Sequence, residues 1–206
     1  MNPAVRRQFC TCTAKRLNCR PKVNPLAHMA LKSTIYKAEL NIADMDRSYY
    51  ASHSLTLAQH PSETTERMML RLAVFALHAS ETLAFTKGIS VDDEPDLWQK
   101  NYSDQIETWI ELGEPDEKRL RKACGRASEV WIYCYGNRST SIWWPQNSAR
   151  CTRFDNLHVR AINAETLTAL AGLCERGMQL SATIQDGALW LAGEAGSVQI
   201  QPETLK

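Results

Sequence analysis

Two runs near the start of the chain alternate apolar and polar side chains with the period of a β-strand. In residues 35–42 the even positions are aromatic or aliphatic, whereas Lys37, Glu39 and Asn41 are polar. Residues 53–57 repeat the same period. Successive side chains of a strand point to opposite faces, so each run can bury only one of its faces. The pattern therefore predicts a paired β-hairpin at this point in the chain.

The period then changes to that of a helix. His60-Pro61-Ser62 interrupts the strand pattern, and the Ser62 hydroxyl could accept from a free amide in the first helical turn. Apolar residues follow at the i, i+3, i+4 spacing of a helix face packed on a core. This stripe consists of Met69, Leu70, Ala73, Ala76 and Leu77.

The rest of the chain continues to alternate strand and helix patterns. This mixing predicts an α/β or α+β fold, with a central mixed β-sheet flanked by helices and additional β-hairpins. In chain order, the remaining predicted elements are strands at 83–89 and 106–112, a helix beginning at Pro115, a hairpin of strands 130–135 and 139–144, a strand at 155–162, a helix at 164–176 and three short final strands.

Composition indicates one globular domain without a membrane span. The 206 residues are 44% hydrophobic and 23% charged, which is sufficient for one well-buried core. There is no run of about 18 to 20 apolar residues that could cross a bilayer, and no apolar segment of a secretion signal at the N-terminus. We therefore expect a cytoplasmic protein that does not bind membranes.

Residues 1–28 differ from the rest of the chain. They contain six basic and no acidic residues, with no sustained strand or helix period. We interpret them as a disordered basic extension upstream of a true start at Met29, followed by a single domain at 29–206. An organellar transit peptide is an alternative interpretation. The spacing of Cys10, Cys12 and Cys19 lacks the further His or Cys of a zinc signature.

Charge limits the kind of nucleic-acid binding that this domain could perform. Residues 29–206 contain 18 basic and 23 acidic residues, a net charge of −5. Proteins that bind duplexes non-specifically usually present a broad basic face. Any binding of DNA or RNA must therefore rest on a local basic patch. A candidate for such a basic patch is the charged side of the helix that follows Pro115, which carries Lys118, Arg119, Arg121, Lys122 and Arg126. The alternative is that this side of the helix is simply a solvated surface.

Several acidic residues of the chain are candidate ligands for a metal ion. The run from Asp92 to Asp96 precedes Glu111, which lies at the end of a predicted strand, and Glu66 lies at the start of the helical stripe. Carboxylates from a loop and a strand can hold Mg²⁺ beside a phosphodiester. Glu66 is a better candidate than Glu63, which we expect to be exposed. The alternatives are a solvated acidic loop and a Glu66 that reaches water or Arg67 at the rim of the stripe.

A series of short motifs runs along the chain from His60 to Gly187. The motifs are His60-Pro61-Ser62-Glu63-Thr64, Glu66-Arg67-Met68-Met69-Leu70-Arg71, Asp92-Asp93-Glu94-Pro95, Trp109-Ile110-Glu111-Leu112-Gly113, Pro115-Asp116-Glu117, Lys122-Ala123-Cys124, Trp143-Trp144 and Ile184-Gln185-Asp186-Gly187. In this order they resemble the YaeQ family of bacterial proteins, and the resemblance begins at Met29 and extends nearly to the C-terminus. The family in turn resembles the PD-(D/E)XK nuclease superfamily, which implies a restriction-endonuclease-like mixed sheet flanked by helices.

The resemblance implies a set of site residues. The helical acid of the superfamily falls on Glu66 and the strand acid on Glu111. The loop acid falls on Asp93, with Glu94 and the Pro-Asp residue Asp96 as alternatives. The lysine expected two residues after the strand acid is Gly113 here. Lys122, or else Lys118, could supply that charge from the following helix, and Lys122 is preferred.

These residues lead to a first hypothesis, a nuclease that depends on Mg²⁺ or Mn²⁺. Asp93 and Glu111 would hold the metal, with Glu66 bound directly or through water. Lys122 would orient the attacking water and stabilise charge on the phosphate. The second hypothesis is a non-catalytic nucleic-acid or protein interaction module that retains the nuclease-like fold. In the third hypothesis, the charged residues form only a solvated surface.

Overall fold

Two mixed β-sheets and four α-helices form the part of the chain that the computed structural model describes, residues 33–88, 93–136 and 138–206. The predictions made for residues 1–28, Met29 and Asp92 fall outside these ranges. In chain order the strands are β1 (Thr34–Asp44), β2 (Tyr49–Gln59), β3 (Leu83–Phe85), β4 (Leu97–Lys100), β5 (Ile106–Leu112), β6 (Ala127–Tyr135), β7 (Leu157–Ile162), β8 (Gly177–Gln185), β9 (Ala188–Gly193), β10 (Gly196–Ile200) and β11 (Glu203–Thr204).

The helices are α1 (Thr65–His78), α2 (Glu117–Arg126), α3 (Trp144–Cys151) and α4 (Ala164–Ala171), with a π-helical segment, Ser139–Trp143, directly before α3. Across the three described ranges, no helix has both the length and the apolar character needed to cross a bilayer.

The five-stranded sheet joins the two ends of the domain, in the order β10-β9-β8-β1-β2. The predicted hairpin is confirmed, because β1 and β2 pair antiparallel along their whole length. The side chains of Ala38, Leu40 and Ile42 are buried at alternate positions of β1, as the sequence period requires. The three final strands are also confirmed as β8, β9 and β10, and β8 pairs parallel to β1.

The six-stranded sheet has the order β11-β7-β6-β5-β4-β3. The prediction of one central sheet is therefore corrected to two mixed sheets. The parallel pairing of β1 with β8 joins β1 and β2 to β8, β9 and β10 in one sheet, whereas β3 to β7 and the final strand β11 form the other. Such pairing over long sequence separations is not encoded in the local period of either strand.

Helix α1 is buried on almost every side rather than along one stripe. All nine residues from Met68 to Ala76 are buried, and the core around them includes Leu40 of the five-stranded sheet and Ile110 of the six-stranded sheet. A helix surrounded in this way serves as part of the core for both sheets. Its N-cap is Thr64 and not Ser62, because Thr64 Oγ1 accepts the backbone N–H of Arg67 at 3.3 Å.

The region around the two adjacent tryptophans departs most from prediction. A strand was expected at residues 139–144, whereas the chain forms the π-helical segment and then α3. Pro145 lies in the first turn of α3, where the missing N–H of proline costs nothing. Trp143 is buried and its Nε1–H donates to the carbonyl of Pro115 at 3.2 Å. Trp143 therefore anchors this helical region against the segment that leads into α2.

Candidate functional site

Glu111 is a buried carboxylate at the C-terminal end of β5. Arg119 Nε donates to its Oε1 at 2.8 Å, and Trp109 Nε1 donates to its Oε2 at 3.1 Å. Burial raises the pKa of Glu111 above its ordinary value, although the hydrogen bond from Arg119 opposes the rise. Both carboxylate oxygens are thus engaged, and the ion pair with Arg119 fixes α2 against the end of β5.

Asp96 is the buried member of the acidic loop and directly precedes β4. Its Oδ1 accepts from Arg67 Nη2 at 2.7 Å, and its Oδ2 accepts from the backbone N–H of Leu112 at 2.8 Å. The negative charge of Asp96 contributes to the raised pKa of Glu111. Among the candidate loop acids, Asp96 is therefore the one that acts electrostatically on the strand acid.

Asp93 and Lys122 form an ion pair. The Asp93 side chain is 77% exposed, so this pair lies at the surface. The hydrogen bond from Lys122 lowers the pKa of Asp93. Both residues line a cleft of about 390 Å³, together with Asp116, Lys118 and Arg119. Asp93 and Lys122 thus lie together, whereas Glu111 does not line this cleft and is linked to it through Arg119.

Glu66 does not join these three residues. It is half-buried on α1, and within the described ranges no hydrogen bond links it to Lys122 and no set of acids places it with Asp93 or Glu111 around one ion. The buried acid at this end of α1 is Glu63, which was expected to be exposed. Glu63 directly precedes the cap residue Thr64, so the helical period that we applied to residues 66–77 does not determine its direction.

Glu63 belongs to a charge cluster that the sequence reasoning missed, which we call the arginine–carboxylate quartet: Glu63, Arg67, Arg71 and Asp96. Arg67 Nη1 donates to Glu63 Oε1 at 3.0 Å, and Arg71 Nη2 donates to Glu63 Oε2 at 3.0 Å. Burial alone would lower the pKa of Arg67, but Asp96 and Glu63 raise it overall. Arg67 and Arg71 lie four residues apart on one side of α1, but Glu63 precedes the helix cap, so the helical spacing gave no signal for its place in this cluster.

The carboxylates in this arrangement do not fit a resident Mg²⁺ or Mn²⁺ ion. Over residues 33–88, 93–136 and 138–206, no three His, Cys, Asp or Glu side chains are grouped as ligands for one metal. Both oxygens of Glu111 and both oxygens of Asp96 already accept hydrogen bonds from protein donors. Hard divalent ions require several free oxygen ligands, which these two acids do not offer here.

The exposed side of α2 concentrates positive charge. Lys118, Arg121, Lys122 and Arg126 recur at helical spacing, and three of them are exposed while Lys122 is partly exposed. Arg121 pairs with Glu117 on the same helix, and Lys122 pairs with Asp93. Within the described part of the chain, no ion pair engages Lys118 or Arg126. We call these four residues the α2 basic face.

Residues 29–202 match the family model described as YaeQ protein. This chain belongs to the YaeQ family. A relative from Escherichia coli (strain K12), named Uncharacterized protein YaeQ, is 49% identical over 172 residues, which cover 84% of this chain and 95% of the relative. The protein of the same name from Salmonella typhi is 49% identical over 173 residues, covering 84% of this chain and 96% of that relative.

Two solved YaeQ structures are similar to this fold. YaeQ from Xanthomonas axonopodis pv. citri superposes with a TM-score of 0.82 at 47% identity, covering 84% of this chain and 98% of that one. YaeQ from Pseudomonas syringae gives a TM-score of 0.80 at 35% identity, covering 84% and 96%. The arrangement of two mixed sheets with flanking helices is therefore an arrangement of the YaeQ family.

Proposed function

We propose that the protein binds the phosphodiester backbone of DNA or RNA through the α2 basic face, without catalysing a reaction there. The observation that carries the proposal is the clustering of Lys118, Arg121, Lys122 and Arg126 on one exposed side of α2, beside the cleft of about 390 Å³. Lysine and arginine bind phosphates as charge-assisted donors. The partly buried ion pair of Glu111 and Arg119 fixes α2 against the end of β5.

The charge distribution supports a short footprint. Residues 29–206 carry a net charge of −5, so repulsion acts on a polyanion everywhere except near local basic clusters. Helix α2 has ten residues and is therefore about 15 Å long. A helix of this length can contact only a few phosphates, which favours single strands or strand ends over extended duplexes.

Replacing Lys118 or Arg126 with alanine is expected to weaken binding uniformly across sequences. Each substitution removes about one phosphate contact, so the slope of log K against log salt should become shallower by about 1. Fluorescence anisotropy with labelled single-stranded and duplex DNA and RNA measures this slope. Lys37→Ala, an exposed lysine on β1, is the matched control and should leave the slope unchanged. Equal slopes for all three variants and the unaltered protein would exclude the α2 basic face.

Neutralising Asp93 should have the opposite effect. Asp93 holds Lys122 in an exposed ion pair, and a phosphate would compete with it for the same ammonium group. Asp93→Asn is therefore expected to strengthen binding a few-fold in the same anisotropy assay, because the exposed pair is weak and its loss frees the ammonium group for a phosphate. Weaker binding by this variant would mean that Asp93 supports the bound state.

A second candidate function is Mg²⁺- or Mn²⁺-dependent phosphodiester hydrolysis. The specific observation in its favour is that Asp96, which directly precedes β4, interacts electrostatically with Glu111 on the adjacent antiparallel strand β5. Arg67 and Arg119 engage both acids here, so we assign no step to a metal.

Glu111→Gln tests this second candidate. Metal-dependent degradation of labelled DNA or RNA is expected to disappear in this variant, because an amide is a poor ligand for Mg²⁺. The measurement is the loss of substrate on denaturing gels with Mg²⁺, with Mn²⁺ and with chelator. Glu107→Gln, a carboxylate on the same strand, is the control and should retain the activity. No metal-dependent degradation by the unaltered protein, or full activity of Glu111→Gln, would contradict hydrolysis.

A further inference from the structure

A second cleft, of about 350 Å³, lies apart from the α2 basic face. Its walls come from β2, from the beginning of α1 and from the residues that follow β3, and it shares no lining residue with the cleft beside α2. β2 is the last strand of the five-stranded sheet within the described part of the chain. Its residues Thr56 and Ala58 therefore bring the edge of the sheet to one wall.

Arg71 provides the decisive observation. Its side chain lines this cleft and is only 6% exposed. Nη2 donates to the carbonyl of Ala58 at 3.2 Å and to Glu63 at 3.0 Å, and the guanidinium lies 5.5 Å from the centre of the Phe85 ring. Nε is buried and has no acceptor; among the residues that the structure describes, it is the only buried side-chain nitrogen or oxygen in this condition. A buried donor without a partner is costly and calls for an acceptor.

The charges that surround the cleft favour an anion. Its lining includes three cationic side chains, Arg67, Arg71 and Lys87, and one carboxylate, Glu63. His60 adds a polar group to the same wall: its Nδ1 accepts the backbone N–H of Ser62 at 3.1 Å, which leaves Nε2–H as the donor of the neutral ring. The lining thus contains more cationic side chains than carboxylates.

We propose that this cleft binds the oxyanion group of a small molecule, either a carboxylate or a phosphate. Arg71 Nε–H is the buried donor to the anion, and the Lys87 ammonium group balances its charge at the rim. Arginine suits this role because its planar donors match both carboxylate and phosphate oxygens. The volume lies within the range of small-molecule sites. This proposal is independent of nucleic-acid binding by α2.

The test follows the side-chain Nε–Hε resonances of arginine in the ¹⁵N-labelled full chain. Inorganic phosphate and acetate are titrated separately, with chloride at matched ionic strength as the reference. The Arg71 resonance, assigned by its loss in Arg71→Lys, is expected to shift in a saturable manner with at least one of the two anions. Lys87→Ala should weaken that anion about fivefold, since it removes a charge-assisted contact. Arg153→Ala, which removes an exposed cation that lines neither cleft, should not change the affinity.

The two anions distinguish the chemistry of the ligand. A saturable shift with phosphate alone supports a phosphorylated ligand, one with acetate alone supports a carboxylic acid, and one with both supports a general oxyanion site. No saturable shift of Arg71 with either anion overturns the proposal. Unchanged anion affinity in Lys87→Ala also overturns the proposal. This second variant keeps the test decisive when Arg71→Lys does not fold. Loss of affinity in Lys118→Ala would place the anion at α2 instead.

Discussion

Replacing Arg67 with methionine is expected to lower the free energy of unfolding by about 3–5 kcal/mol, the usual cost of breaking a buried ion pair from one side. Arg67 bridges Glu63 and Asp96, whose side chains are each only 2% exposed. Methionine fills a similar volume but leaves both carboxylates without their shared cation. Urea denaturation followed by circular dichroism measures the loss.

Two further variants separate charge from packing. Arg121→Met is the matched control, because Arg121 is 72% exposed and its pair with Glu117 should contribute less than about 1 kcal/mol. Adding Glu63→Gln and Asp96→Asn to Arg67→Met should restore part of the lost stability, since neutral amides cost less to bury than unpaired carboxylates. A loss for Arg67→Met no larger than that for Arg121→Met would show that the quartet is hydrated in solution.

The parts of the fold that could be predicted are those that a local period determines. The alternation in β1 and β2 was sufficient for the hairpin, since burying one face leaves only one register. The short strand β4 was missed because four residues are too few to show a period, and it is defined by its pairing with β3 and β5. Trp143 and Trp144 suggested a strand because aromatic residues favour strands, but Pro145 and the anchored Trp143 favour a helix start.

The candidate site, like the fold, contains residues that a local sequence period locates and residues that only long-range contacts define. Glu111, Asp93 and Lys122 could be selected because each lies next to an element that the sequence period located. The quartet could not, because burying Glu63 and Asp96 depends on Arg67, which is 29 residues away from Asp96 in the chain. A hydropathy pattern ranks all four residues as surface residues, and only the neutralisation of each by the others allows them to be buried.

His78 makes the fold sensitive to acid. It lies in the last turn of α1, largely enclosed, with Nε2 2.8 Å from the hydroxyl of Tyr133 and its ring against Trp131. Burial lowers the pKa of His78 from 6.5 to about 3. Below about pH 6.5 the unfolded chain gains a proton that the folded protein does not, so the free energy of unfolding falls as the pH falls toward 3.

Between about pH 6.5 and pH 4.5, this linkage has an upper limit of about 2–3 kcal/mol. We expect about 2 kcal/mol, because the ring borders a cleft of about 360 Å³ that admits water. Glu111 acts in the opposite direction: its raised pKa makes the folded state bind a proton more tightly, so its protonation stabilises the fold as the pH falls. The contribution of His78 must therefore be measured as a difference between variants and not from the unaltered protein alone.

His78→Gln isolates that contribution. Glutamine can still hydrogen-bond the Tyr133 hydroxyl but does not titrate, so the acid-dependent loss of stability should be smaller by about 2 kcal/mol at about pH 4.5 than in the unaltered protein. Urea denaturation at about pH 7.5, 5.5 and 4.5 provides the comparison. His158→Gln is the control, because burial lowers the pKa of this partly exposed histidine too and its variant should flatten the pH dependence less. Equal pH dependence in His78→Gln and the unaltered protein would mean that the imidazolium of His78 is hydrated in the folded state.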